Sequence, residues 1–304
     1  MSVSETDGYA SVAVHNAGKP CQTFYKIVGD LSSGKIPLIV LNGGPGSTYT
    51  YVFSIKDIAN LTDLPVVFYD QIGGGKSTHL PEKNGDVDFW TVQIFVDQFH
   101  SLLRHLNIKE YNVLGHSWGA MLGMEIAIRQ PAGLRKLVLS SGPVSMELWV
   151  QVTRKLLETL PADLQQIIRK NEEAKTYDSP EYNAAMQEFT KRFVCRLDPL
   201  PEEVTAAFKE MEADPTPYVT MQGPSEFTIT GNLKDWSVID DLHKINVPVL
   251  VTNGAHDEAQ DPVVAPLFQH VPRVRWYTFA NSAHMAHWEE REKYMQVVGD
   301  FLTQ

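Results

Sequence analysis

Residues 111–128 read YNVLGHSWGAMLGMEIAI, an apolar run, a bend holding Ser117 between Gly115 and Gly119, and then a helix-like segment. The pattern G-x-S-x-G between a strand and a helix is the context of a nucleophile elbow, a tight turn that exposes a serine hydroxyl above a sheet. The pentapeptide alone also occurs by chance in ordinary strand-to-helix turns. Its meaning depends on whether the rest of the chain supplies partners in the right order.

Short apolar runs recur on both sides of it: PLIVL, VVFYD, KLVLSS, VPVLVTNG and VRWYTFA. Several are too uniformly apolar to have a solvated face, as buried parallel strands are. Helix-period segments lie between them, including WTVQIFVDQFHSLLRHLN and AMLGMEIAIRQ, the latter stopped by Pro131. Two further β-rich runs, YASVAVHN and CQTFYKIVG, flank the turn AGKP and predict a hairpin at the start. Alternating strands and helices imply the α/β class with a mostly parallel sheet of eight strands. The alternation breaks after Gly142. Residues 143–238 are charged, helix-like and punctuated by Pro161, Pro180, Pro199, Pro201, Pro215 and Pro217, before VPVLV resumes the pattern. They are read as a helical insertion that divides a core of residues 1–142 and 239–304, placed over the carboxyl edge of the sheet where α/β proteins bind ligands.

Composition narrows the function classes. The chain has 304 residues, with 26 basic against 37 acidic side chains, a formal charge of -11. That excess argues against nucleic acid or an anionic membrane as partner. Two cysteines, Cys21 and Cys195, are too few for a disulfide framework or a thiolate zinc site. No signal-peptide pattern opens the sequence, and no apolar run reaches the roughly 18 residues of a membrane span. These absences lead to the expectation of a cytoplasmic protein.

A serine hydroxyl attacks only when a histidine takes its proton and a carboxylate orients that histidine. On this type of fold the chain order is Ser, acid, His. VPVLVTNGAHDEAQDP offers Asp257, Glu258 and Asp261 after a late strand; Asp257 lies nearest the strand end, beyond the Asn-Gly turn signal, and is the expected acid. After the last strand, NSAHMAHWEE offers His284 in a loop and His287 at a helix start. His284 can swing over the sheet edge, whereas His287 is expected in the core. His116 is expected to be structural, because the elbow should turn neighbouring side chains away from the nucleophile. Oxyanion donors are expected from the N–H of Trp118 and from the glycine-rich loop LNGGPGST, where backbone can approach a carbonyl unhindered.

Together NGGPG, FYDQIGGGKS, GHSWGA, GAHDEAQDP and SAHMAHWEE resemble the proline iminopeptidase family of α/β-hydrolases, and MQGPSEFTITGNLKDW resembles the cap of the tricorn-interacting aminopeptidases. The resemblance implies a serine aminopeptidase or amidase with Ser117, Asp257 and His284 as triad, Gly44 and Trp118 as oxyanion donors, and Gly43 as their neighbour. It also implies that Glu226 and Glu258 hold the free α-ammonium of a small peptide or amino-acid amide, with no metal or organic cofactor. A buried ammonium does require carboxylates around it. Two positions depart from the family: Asn42 where histidine is usual, and Ala120 where glycine is usual. Asn42 should still hydrogen-bond the loop. An esterase on the same triad, which would not need Glu226 and Glu258, and a catalytically silent binding protein are the alternatives. The oligomeric state is left open, a monomer being compatible with the sequence.

Overall fold

A computed structural model describes residues 3–304. Eight strands form one sheet: β1 (Glu5–Val12), β2 (Cys21–Val28), β3 (Leu38–Leu41), β4 (Val66–Tyr69), β5 (Tyr111–His116), β6 (Leu134–Ser140), β7 (Val249–Gly254) and β8 (Val274–Phe279). Their spatial order is β1-β2-β4-β3-β5-β6-β7-β8. β2 runs antiparallel to β1 and to β4; every other pairing is parallel. The N-terminal hairpin and the α/β alternation therefore form as the sequence predicts. β3, β4, β5 and β7 are buried at every residue, because helices cover both faces. β8, at the sheet edge, alternates instead and exposes Arg275 and Tyr277.

Parallel strands end on the same edge. The loops after β3, β5, β7 and β8, which carry the glycine-rich turn, Ser117, Asp257 and His284, are thus gathered without any further device. The helix Trp118–Ile128 buries nine of its eleven residues, so it is held centrally against the sheet. Its apolar residues occur all round, as a helix enclosed on every side requires. By contrast, the helix Val92–His105 buries Phe95, Phe99 and Leu102 on one face, each such side chain contributing about 1.5–3 kcal/mol.

Between β6 and β7 the described residues form helices Met146–Leu157, Ala162–Ala174, Pro180–Phe189, Glu202–Ala213 and Thr216–Met221, and a π-helical turn at Thr190–Val194. The prolines sit where helices begin: Pro161, Pro201 and Pro215 at N-cap positions, Pro180 and Pro217 in first turns. There the missing N–H costs nothing and the fixed φ suits the helix. Leu157, Leu160, Ile168, Tyr182, Ala185, Phe189 and Phe227 give this segment a small core of its own. A bridge between Ser145 and Ser237 joins its two ends.

Candidate active site

Ser117 adopts φ 57° and ψ -125°, a strained conformation for a residue with a side chain. The two flanking glycines make it possible. A Cβ at Gly119 would run into the carbonyl oxygen of Leu41 at the end of β3, and a Cβ at Gly115 into the carbonyl oxygen of Gly119. Helix and sheet approach each other too closely here for any other residue, which answers why the bend needs both.

Ser117, His284, Glu226 and Glu258 line one cavity of about 360 Å³, together with Gly43 and Gly44. Asp257 lies behind it, fully buried, and its Oδ1 is 2.8 Å from His284 Nδ1. That carboxylate also accepts from the N–H groups of Ala259 (2.8 Å) and Gly254 (3.2 Å), so the loop after β7 fixes it in place. Asp261, the other acid considered, accepts from Asn253 Nδ2 at the start of a helix and does not reach the histidine. His284 Nε2 lies 3.8 Å from Glu258 Oε1. It makes no hydrogen bond to Ser117 Oγ among the described residues; both ring nitrogens face carboxylates.

The oxyanion region departs in one respect from the simplest reading. Neither Gly44 N–H nor Trp118 N–H has an acceptor among the described residues, so both are free to donate. Gly43 N–H, however, is committed to the Tyr51 hydroxyl at 2.6 Å. That N–H is therefore not free as those of Gly44 and Trp118 are, and the lack of a side chain at Gly43 matters because a Cβ would meet Tyr51 and Ser117. Gly44 has φ 116°, which only glycine adopts readily. Asn42 bonds the loop as expected, donating Nδ2–H to Ser47 O at 2.7 Å. Gln71 links that segment to the elbow, donating to Asn42 O (2.7 Å) and accepting from Trp118 Nε1 (2.8 Å).

His116 is structural, but not because its ring leaves the site. It packs edge-on against His284 with ring centroids 4.7 Å apart. Its Nε2 lies 2.7 Å from the His284 carbonyl, which can only accept, so Nε2 carries the proton and Nδ1 accepts from Tyr51 at 2.9 Å. A relay thus runs from Gly43 N–H to Tyr51, to His116, to the backbone of His284, and it ties the oxyanion loop to the histidine loop. Burial holds His116 well below the ordinary histidine range. Burial also pushes His287 down to about 3, and its Nε2 donates to Tyr51 O at 3.1 Å. Neither competes as a base.

Burial alone would lower the titration of His284 too; Asp257 first, then Glu258 and Glu226, reverse that and push it up to about 9. Glu258 is raised well above the carboxylate range by burial and by the neighbouring Glu226 and Asp257, and its Oε2 has no hydrogen-bond partner among the described residues. Glu226 is raised by burial, opposed by Tyr218, whose hydroxyl donates to Oε1 at 2.5 Å. Gln222 Nε2 donates to its other oxygen at 3.3 Å. No lysine or arginine lines the cavity. Neither Tyr51 nor Tyr218 carries a local signal, and Gln71, though inside the FYDQIGGGKS motif, has no role that the motif predicts; all three act through tertiary contacts. Another such contact is the carbonyl of Phe193, in the π-helical turn, which accepts from the N–H groups of both Glu258 (3.1 Å) and His284 (3.3 Å).

Residues 36–291 match the family described as alpha/beta hydrolase fold. A proline iminopeptidase of Heyndrickxia coagulans is 37% identical over 277 residues, covering 90% of this chain and 93% of that protein. The chain belongs to the proline iminopeptidase family of α/β-hydrolases. Among solved structures, a proline iminopeptidase of Mycobacterium smegmatis superposes with a TM-score of 0.88 at 42% identity, with 98% of each chain covered. The structure of VinJ superposes with a TM-score of 0.92 at 45% identity, covering 97% of this chain and 98% of that one. This member of the family is accordingly a hydrolase. No helix among the described residues is long and apolar enough to cross a membrane.

Proposed function

We propose that this protein is a serine aminopeptidase that cleaves the amide bond following a free α-amino residue. The observation that carries the reading is the convergence of Glu226 and Glu258 with Ser117 and His284 in a cavity that, among the described residues, no lysine or arginine lines. Two desolvated carboxylates matched by no lysine or arginine suit an incoming cation, and an α-ammonium held there presents the adjacent carbonyl to the serine. His284 takes the proton of Ser117 Oγ as that oxygen attacks; Gly44 and Trp118 N–H groups receive the oxyanion. His284 then protonates the leaving amine, Asp257 keeps its tautomer fixed, and water releases the acyl group in a second round. Residues 143–238 act as a cap, contributing Glu226 and closing the cavity over the substrate. A side recess of about 30 Å³, bounded by Trp118, Met121, Met146 and Trp149 and also by Gln222 and Glu226, favours a small first residue. Proline, the residue named in the relatives' activity, is of that kind.

A panel of aminoacyl arylamides, with and without a free amine, tests the reading. Wild type should turn over the free-amine members and neglect the N-acetylated ones. Glu226→Gln should lose about 10- to 150-fold in kcat/KM on the former, corresponding to a charge-assisted contact of about 1.5–3 kcal/mol. Equal turnover of free-amine arylamides by Glu226→Gln and wild type would remove the reading's support in favour of an esterase.

A further inference from the structure

We infer that the positive charge of the substrate switches on the catalytic base: by occupying Glu226 and Glu258 it expels the proton that the empty cavity keeps on His284. The inference rests on the proposed ammonium site and adds a consequence to it. Three carboxylates surround this imidazole, Asp257 at 2.8 Å from Nδ1, Glu258 at 3.8 Å from Nε2, and Glu226 across the cavity. The other ionisable groups packed against it, His116 and His287, are held neutral by burial, and Tyr51 and Tyr218 are uncharged. In the empty cavity the imidazolium is therefore the cation these carboxylates have.

The geometry agrees with that state. Nε2 points toward Glu258 rather than forming a hydrogen bond with Ser117 Oγ, and the remaining oxygen of Glu258, Oε2, is buried without a partner and free for an incoming donor. When an ammonium forms its ion pair with Glu226 and Glu258, their attraction for the imidazolium is cancelled and a second cation is close by. The Nε2 proton passes to bulk water, and the Nε2 lone pair becomes available to the Ser117 hydroxyl. The net charge of the cavity is unchanged, because one cation replaces another. Selectivity for a free amine then has two parts: binding, and readiness of the base. A neutral substrate that fits the cavity meets a histidine that is already protonated.

With the three carboxylates holding His284 at about 9, roughly 1% of the imidazole is neutral at pH 7. Cancelling the attraction of Glu258 and Glu226, with Asp257 still in place, lowers that value, and each unit of lowering makes roughly tenfold more of the imidazole neutral. The experiment measures phosphonylation of Ser117 by a small uncharged fluorophosphonate, followed by intact mass at pH 7, with increasing methylammonium and with sodium chloride at matched ionic strength. Methylammonium should accelerate labelling about 10-fold or more and saturate, and the acceleration should fade toward pH 9.5, where the empty cavity has already lost its proton. Glu258→Gln should label faster than wild type at pH 7 without additive and respond less to methylammonium. Methylammonium that competitively inhibits free-amine arylamide hydrolysis yet leaves wild-type labelling unchanged or slower would overturn the switch while the ammonium site stands. Methylammonium that neither inhibits nor accelerates would overturn both.

Discussion

Replacing Tyr51 with phenylalanine isolates the relay that joins the two halves of the catalytic edge. The ring stays, and with it the edge-on packing against His116 and His287 at 5.4 and 6.0 Å between centroids. Only the hydroxyl is lost, so Gly43 N–H loses its acceptor at 2.6 Å and His116 Nδ1 its donor at 2.9 Å. Both groups are buried, and an orphaned buried partner costs about 1–3 kcal/mol, so two give a loss of about 2–6 kcal/mol in stability. Loop relaxation would bring the figure toward the lower end. The same loop carries Gly44, the proposed oxyanion donor, whose N–H would stay aligned only while its neighbour is held. Complete loss of such a donor costs about 10²- to 10³-fold in kcat. Misalignment should cost about 10- to 100-fold, with KM little changed because the donor acts in the transition state. Urea denaturation followed by tryptophan fluorescence gives the first quantity, and steady-state arylamide kinetics the second. A Tyr51→Phe protein with the wild-type denaturation midpoint and kcat within twofold of wild type would refute the relay.

Ser117→Ala and His284→Ala should each remove nearly all turnover, leaving a residual rate of about 10³ over water from the oxyanion donors and binding; more than a few per cent of wild-type activity in Ser117→Ala would mean another nucleophile. With an N-blocked neutral ester, kcat/KM should climb with pH through about 9, since it reports the free enzyme and the base must lose its proton to act; a midpoint near the ordinary histidine value of about 6.5 would show that the carboxylates do not act on His284. His79 joins the core to the helical insertion: Nδ1 is 2.5 Å from Asp214 and Nε2 is 2.8 Å from Gly75 O, two acceptors that require the doubly protonated ring. Burial opposes that charge, but Gly75 and Asp214 raise His79 above its ordinary value, so its contribution is fully present below the unfolded value and is lost as pH rises through the folded one. The gap in thermal midpoint between wild type and His79→Ala should therefore narrow from pH 6 to pH 9, and a gap independent of pH would show that packing alone is at stake.

The sequence by itself determined the α/β class, the N-terminal hairpin and the position of the helical insertion, because each follows from local patterns of burial and turn chemistry. Short, uniformly apolar runs bounded by turn residues read as strands covered on both faces, and most of the prolines in residues 161–217 begin its helices. It also put forward Ser117, Asp257 and His284 as the candidate site, since parallel strands deliver their following loops to one edge and chain order then assigns the parts. What neighbours do to those parts was decided only by the tertiary structure. That the N–H of Gly43, the neighbour of Gly44, is held by Tyr51, eight residues on, follows from packing alone. His116 was expected to turn away and instead supports the backbone of a histidine 168 positions later. The titration of His284 responds to a carboxylate from the insertion and two from the loop after β7, brought together around its buried ring. Hydrogen bonds and fields in a dry interior act through space between segments far apart in sequence, so no periodicity or motif records them.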